Sequence, residues 1–480
     1  MSNDRWRMGF HLMPPAGWIN DPNGLCQFRG TYRFFCQSSP DWPAADAERG
    51  WLQFESRDLV SWSCLGWAIR QDIPEDASGA YSGSALVVPG AAADGGDLLR
   101  LYYTGNVKEP GEHDYIREGR QANVIMVETE DARSYSPKRV LLRNADYPAW
   151  CSCHVRDPKV WREADGSLRM LLGARDLDDR GCALVYASSD GLSWEHAATV
   201  RSAEPFGYMW ECPDRVELDG REYLSCCPQG LQELPWANGM RDQSGYFELE
   251  GNAHLAEGPV VEASGFRRWD AGFDFYAPQT FVDDSGRTLL VGWMGLPEPP
   301  FESAPAGLSW IHCLTVPREL SRLEDGAIAQ APVRELERLR GVRTDVAPGA
   351  CARMDGHRAD LCIEGVEGPV EVVLDDALVI SCADGRVRLA FINGQDAPEG
   401  VGAGRRSREV EVGSNPVGDL RILVDSSAVE VYAAGGRAVL STRWFPREGP
   451  LTLRPRGSFA RTRAWAMDDG MSGTYGAFQG

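Results

Sequence analysis

Three carboxylic acids in this chain stand in settings different enough to divide one reaction between them. Asp21 lies in Gly-Trp-Ile-Asn-Asp-Pro-Asn-Gly (17–24), where Pro22 and Gly24 predict a fixed turn. The amides of Asn20 and Asn23 would then surround its carboxylate and hold it ionised. Asp157 lies in His-Val-Arg-Asp-Pro-Lys-Val-Trp (154–161), at the expected start of an inner strand, where the adjacent Arg156 would keep it charged. Glu211 follows Tyr208, Met209 and Trp210 and precedes Cys212, an apolar and aromatic setting expected to raise its pKa as a general acid requires. Cleaving a glycosidic bond with retention needs such a division, one carboxylate to attack and one carboxylic acid to protonate the leaving oxygen. Each segment also has an ordinary reading: Asn-Asp-Pro-Asn-Gly makes surface turns, and Arg-Asp-Pro makes solvated ion pairs. What favours a site is that the three fall in successive repeats, each beside a short strand.

The elements that must position them read as β. Long helical periodicity is nearly absent before residue 330, while LCQFRGTYRFFC (25–36), VWREADGSLRMLLGA (160–174), VELDGREYLSCC (216–227) and FVDDSGRTLLVGW (281–293) each predict a strand, a Gly-containing turn and a strand. SRDLVSW (56–62), TEDARSYS (129–136) and SSDGLSW (188–194) repeat a Ser or Thr and an acid ahead of an aromatic. Their spacing of about 60 to 75 residues suits a four-stranded propeller blade. Five blades would fill residues 1–335 as an all-β, five-bladed β-propeller; an irregular sandwich with chance turn similarity is the competing architecture. Beyond a short helical stretch and a Pro/Gly break at 334–349, alternating strands such as VEVVL (370–374) and LRILVDSSAVEVYA (420–433) predict a C-terminal β-sandwich over 345–480.

Composition narrows the partners. Forty-nine Lys and Arg against 70 Asp and Glu give a formal charge of -21, which repels nucleic acid and anionic membranes, so the expected partner is a small neutral sugar. No signal-like h-region is seen in MSNDRWRMGFHLMPPAGW and no run of 18 apolar residues occurs, which predicts a cytoplasmic protein. The 13 cysteines are odd in number and scattered, as reduced thiols in a reducing compartment would be. The Cys-Ser-Cys-His run at 151–154 lacks a matching second pair, so no metal site is expected.

At the three acids the chain closely resembles glycoside hydrolase family 32, the invertases, fructanases and sucrose-6-phosphate hydrolases. Asp21 falls on the family's Asn-Asp-Pro-Asn-Gly motif, Asp157 on Arg-Asp-Pro and Glu211 on Glu-Cys-Pro; CQSSP (36–40), YSGSALV (81–87), FDFYAPQTF (273–281) and TVPREL (315–320) match further segments. The resemblance implies a propeller with a funnel-shaped site on its axis, a C-terminal sandwich, and Asp21, Asp157 and Glu211 as nucleophile, transition-state stabiliser and acid/base. It further implies that Asn20, Gln37, Ser84 and Arg156 complete the pocket, with Tyr276, Trp51 and Trp293 as walls. No cofactor is implied, since carboxyls and water suffice.

The departures lie on the leaving-group side. Arg33 and Cys36 stand where family members usually have His and Tyr, and WLQFES (51–56) keeps only the Trp of a Trp-Gly-His-Ala segment. The expected activity is hydrolysis of sucrose and short fructo-oligosaccharides, ranked above sucrose-6-phosphate; a phosphorylated substrate would need a basic cluster from residues such as Arg33, Lys159 or Arg175. Fructosyl transfer shares the covalent intermediate. A carbohydrate-binding propeller without catalysis is the competing function from another class.

Overall fold

The computed structural model describes residues 4–44, 47–392, 402–413 and 416–475. Its strands form seven sheets. Five follow one another through residues 17–332. Sheet I holds Gly17–Phe28, Thr31–Ser39, Gly50–Ser56 and Ser63–Ile69; sheet II runs from Ala80–Val88 to Arg139–Leu142; sheet III from Cys151–Arg162 to Glu195–Ser202; sheet IV from Met209–Leu218 to Arg267–Arg268; sheet V from Tyr276–Val282 to Ile328–Pro332. The opening strands touch in order, Gly17–Phe28 to Ala80–Val88 and onward to Tyr276–Val282, which returns to Gly17–Phe28 and closes the ring. Trp310–Ile311 adds a parallel fifth strand to sheet I.

Local chemistry explains these units. The hairpins at Arg29-Gly30 and Asp219-Gly220 have both residues at left-handed φ, the two-residue turn whose twist matches the strands. The repeated Ser/Thr-acid element leaves the third strand of sheets I, II and III: Asp58, Asp131 and Asp190 each accept two backbone N–H groups two and three residues ahead. One aspartate thus folds the same corner three times. Inner strands are buried almost throughout, as in Gly17–Phe28, whereas the outer Glu195–Ser202 is largely open.

Sheets VI and VII have six strands each and span residues 340–467. Their facing side chains, among them Leu361, Val372, Ile380, Leu389, Ile422, Val431 and Leu453, make one apolar layer. A second layer joins them to sheets I and V through Leu423, Tyr432, Val439 and Met467. The N-terminal segment is tied in as well, since Gly9, Phe10 and His11 donate their N–H groups to Asp425. No described helix is long and apolar enough to cross a membrane, and all 13 cysteines are free thiols.

Candidate active site

Each of the five opening strands loses register partway along, at Ile19/Pro22, Ala80/Gly83, near Arg156, at Glu211/Asp214 and at Tyr276/Gln279. A bulge re-aims the side chains beside it. In three strands the bulge has one form: Asp157, Cys212 and Ala277 take left-handed φ of 62, 46 and 47°, and each precedes a proline. Proline tolerates a bulge because its missing N–H breaks no ladder bond, while each non-glycine residue held there costs on the order of 1–3 kcal/mol. In sheet II Gly83 stands at the bulge, where a Cβ would meet Tyr102 O at 1.9 Å.

The bulges gather Asp21, Asp157 and Glu211, all buried, around one guanidinium. Arg156 Nε donates to both Asp157 oxygens at 2.9 and 3.0 Å, and its Nη1 stands 3.3 Å from Glu211 Oε1. Glu211 Oε2 accepts from Tyr276 Oη at 2.9 Å and Gln229 Nε2 at 3.0 Å. The Cys212 N–H donates to Asp157 Oδ2 at 2.9 Å, and the Asp157 N–H to Thr104 Oγ1 at 2.8 Å. Asp21 Oδ2 accepts from Ser82 Oγ; the asparagines do not serve it, since Asn20 Nδ2 donates to Gln37 at 3.2 Å and Asn23 Nδ2 to the Asp21 backbone at 3.0 Å.

These groups open into a cavity of about 470 Å³ that Asp21, Arg156 and Glu211 line together with Asn20, Gln37, Tyr276 and Trp293. Among the described residues Asn20 Oδ1 and Trp293 Nε1 are buried without a partner, an acceptor and a donor on the cavity wall. Two expected pocket residues lie elsewhere. Trp51 is fully buried among Phe35, Leu101 and Tyr103 between sheets I and II, its indole N–H donating to Tyr81 O at 3.0 Å. Ser84 accepts the Val160 N–H at 3.0 Å, joining sheets II and III. Strand alternation is the reason: Ser82 and Ser84 share a face, but the Gly83 bulge leaves Ser82 at the acids. Sequence reasoning also missed Gln229 and His154, whose Nε2 lies 3.6 Å from Glu211 Oε1.

The electrostatics of the site reverse the expected order. Burial pushes the Asp21 carboxyl up, the Ser82 hydrogen bond opposes this and Asp157 adds to it, leaving Asp21 at about 7. Burial pushes Glu211 up too, but Arg156 outweighs it with help from His154 and Tyr276, and Glu211 comes down to about 2. His154 is itself lowered by burial, hence neutral at pH 7, so Arg156 carries most of that effect. Neighbouring aromatics predicted an acid of raised pKa; an arginine one strand away decides otherwise.

The family model described as Glycosyl hydrolases family 32 N-terminal domain matches residues 11–332, and that described as Glycosyl hydrolases family 32 C terminal matches residues 394–464. The chain belongs to glycoside hydrolase family 32. A sucrose-6-phosphate hydrolase of Bacillus subtilis (strain 168) is 33% identical over 467 residues, covering 93% of this chain and 91% of the relative. A raffinose invertase of Escherichia coli is 34% identical over 463 residues, covering 92% and 90%. The solved sucrose-6-phosphate hydrolase of Lactobacillus gasseri superposes with a TM-score of 0.84 at 28% identity, covering 98% of this chain and 94% of the other. In this family 32 hydrolase the departures at residues 33 and 36 are internal to the fold: Arg33 pairs with Glu55, and Cys36 is buried with Leu52 and Phe54. Lys159 pairs with Asp214 at 2.8 Å and Arg175 with Asp179 at 2.8 Å, so none of the three basic residues considered as a phosphate cluster is left uncompensated.

Proposed function

We propose that this glycoside hydrolase is a retaining β-fructofuranosidase acting on sucrose and related short β-fructosides. The observation that carries the reading is the convergence of Asp21 and Glu211 on one cavity, with Asp157 held behind it by the Arg156 guanidinium that also faces Glu211. The five sheets with their closed ring of opening strands serve as a five-bladed β-propeller over residues 1–335, and sheets VI and VII as a β-sandwich over 345–480. Free thiols suit a reducing cytoplasm.

In this mechanism Asp21 attacks the anomeric carbon of the fructosyl unit, and Glu211 delivers a proton to the leaving oxygen. The covalent fructosyl-enzyme is hydrolysed by water that Glu211 deprotonates. Asp157, held by Arg156 and the Cys212 N–H, stabilises the positive charge that develops on the ring. Asp21 and Glu211 face one guanidinium, so the two titrate as a pair that retains a proton near neutrality. Burial keeps it on Asp21. A glycosidic oxygen beside Glu211 can only accept a hydrogen bond, which favours the proton on Glu211, and an electrophilic carbon beside Asp21 favours the ionised form there. Substrate thus moves the proton to the group that must donate it.

The test is release of free fructose and glucose from sucrose and 1-kestose by wild type beside Glu211→Gln. Fructose release that collapses in the variant is the expected result; none from wild type would return the chain to the carbohydrate-binding reading, and equal release from both would take the acid/base role away from Glu211.

A further inference from the structure

One wall of the active-site cavity is held from outside the ring of five sheets. The chain between Thr288–Trp293 and Trp310–Ile311 supplies Leu296, Pro297, Pro299 and Ser303 to the cavity. Among the described residues, Glu302 is the only one from 295 to 308 with a hydrogen-bonded backbone, and both of its bonds go to the C-terminal pair of sheets. Its N–H donates to Ala403 O at 3.0 Å, and its carbonyl accepts from Arg405 Nη1 at 3.0 Å. Arg405 is buried just ahead of Ser407–Glu411, an edge strand of that pair. Its Nε and Nη2 donate to Asp274 Oδ2 and Oδ1 at 2.8 and 2.7 Å. Asp274 stands two residues before Tyr276, the donor to Glu211 Oε2. The Phe301 ring, its centroid 4.2 Å from Arg405 Cζ, packs both on the C-terminal apolar layer and on the cluster of Tyr276, Trp293 and Leu296.

One planar guanidinium therefore fixes two things relative to each other, the wall around Glu302 and the start of the strand that carries Tyr276. A fork with several donors in one plane does this, whereas the point charge of lysine cannot hold both partners. A segment held by few hydrogen bonds takes its position from those few. The three acids stand on opening strands at the centre of the ring, but this wall follows a second strand and so lies farther out, on the side left for the leaving sugar once the fructosyl unit is at Asp21. We propose that Arg405 is a positioning residue for the reaction: acting from the C-terminal sheets, it sets the wall of Leu296, Pro297, Pro299 and Ser303 against the leaving sugar and so fixes how tightly that sugar is bound. This rests on the β-fructofuranosidase reading. A buried arginine facing a carboxylate also has an ordinary role, neutralising Asp274, and the two roles part under replacement by lysine.

The experiment compares sucrose with methyl β-D-fructofuranoside, whose leaving group carries no sugar, in wild type, Arg405→Gln, Arg405→Lys and Phe301→Ala, with thermal unfolding measured on each. Arg405→Gln should raise KM for sucrose about tenfold with kcat within about threefold of wild type, the pattern of binding lost equally from ground state and transition state, while KM for the methyl glycoside moves less than about twofold. Arg405→Lys should recover much of the unfolding temperature that Arg405→Gln loses, because the charge beside Asp274 is kept, yet leave KM for sucrose raised. Phe301→Ala, which removes no charge and no hydrogen bond, should raise KM for sucrose about threefold and leave the methyl glycoside nearly unmoved. A wild-type KM for sucrose in both Arg405→Lys and Phe301→Ala, or an equal rise for the two glycosides, would overturn the positioning role while leaving the hydrolase. Cleavage of neither glycoside by wild type would overturn both.

Discussion

Two buried clusters in this molecule are built from the same ingredients, three carboxyls with an arginine and a histidine among them. In the active site Asp21, Asp157 and Glu211 meet Arg156 and His154. Between the ring of sheets and the C-terminal pair, Asp270, Asp425 and Glu430 meet Arg318 and His11. The second cluster is nearly compensated. His11 bridges Asp425 at 2.8 Å and Glu430 at 2.9 Å, and those acids push it up to about 9 against the burial that would lower it. Arg318 donates to Glu430 at 2.6 and 2.9 Å, and Glu430 is brought down to about 2, its burial outweighed by Arg318 and His11. With His11 charged, two cations face three acids. The active site has one cation and a neutral histidine for the same number, on bulged and strained strands. A nearly compensated cluster fixes a structure, and an underpaired one leaves a proton to be moved.

The comparison breaks most sharply under Glu-to-Gln replacement in each place. Glu211→Gln should lower kcat about a thousandfold, the size of a lost general acid, while thermal unfolding stays put or moves up because a buried charge is gone. Glu430→Gln should do the reverse. Leaving Arg318 and His11 without their shared carboxylate should cost about 3–5 kcal/mol, read as a lower midpoint in denaturant, with kcat of the folded fraction close to wild type. If Glu430→Gln abolished activity at full stability, the division between the clusters would be wrong.

Histidine 11 sharpens the contrast through pH. Its folded value of about 9 lies above the ordinary 6.5, so its contribution is fully present below about 6.5 and is lost as pH rises through about 9. The span corresponds to roughly 3 kcal/mol. Denaturation midpoints should therefore decline between neutral pH and about 9, and His11→Gln should be less stable at neutral pH and nearly flat over that window. A wild-type midpoint constant from pH 6.5 to 9 would sink this account.

How much of this was legible in sequence depends on distance along the chain. The corner aspartates Asp58, Asp131 and Asp190 act within three residues of themselves, and their motif announced the recurring corner. Asp21, Asp157 and Glu211 were visible as three acids in unusual local settings, and the structure brings them together. Their protonation order was not visible, because Arg156 reaches Glu211 across strands and Ser82 reaches Asp21 from the next sheet. The Ser84 expectation failed on a single bulge at Gly83, and that of Trp51 on which face of its strand meets the neighbouring sheet. One signal went unused: the repeated residue-proline pairs at 157–158, 212–213 and 277–278 mark the inner strands. The network of His11 had no local signature, since its partners lie more than 400 residues away.

The smallest expected effect tests the active-site half directly. Ser82 is the hydrogen bond that holds Asp21 down against burial and Asp157, so Ser82→Ala should let the Asp21 carboxyl rise further. The free enzyme carries its reactive proton on the cluster only below the highest carboxyl pKa, about 7, and kcat/KM reports free-enzyme groups. In wild type kcat/KM should thus fall as pH rises through about 7, and in Ser82→Ala that limb should move to higher pH. The rate on the plateau should drop by about tenfold or less, because one neutral donor to the attacking carboxylate is gone and no charge has been removed. A limb that stays in place would mean that the proton retained at neutrality belongs to another carboxyl. Asp242, raised by burial to about 6 and linked to Glu211 through Gln229, would then be the group to replace.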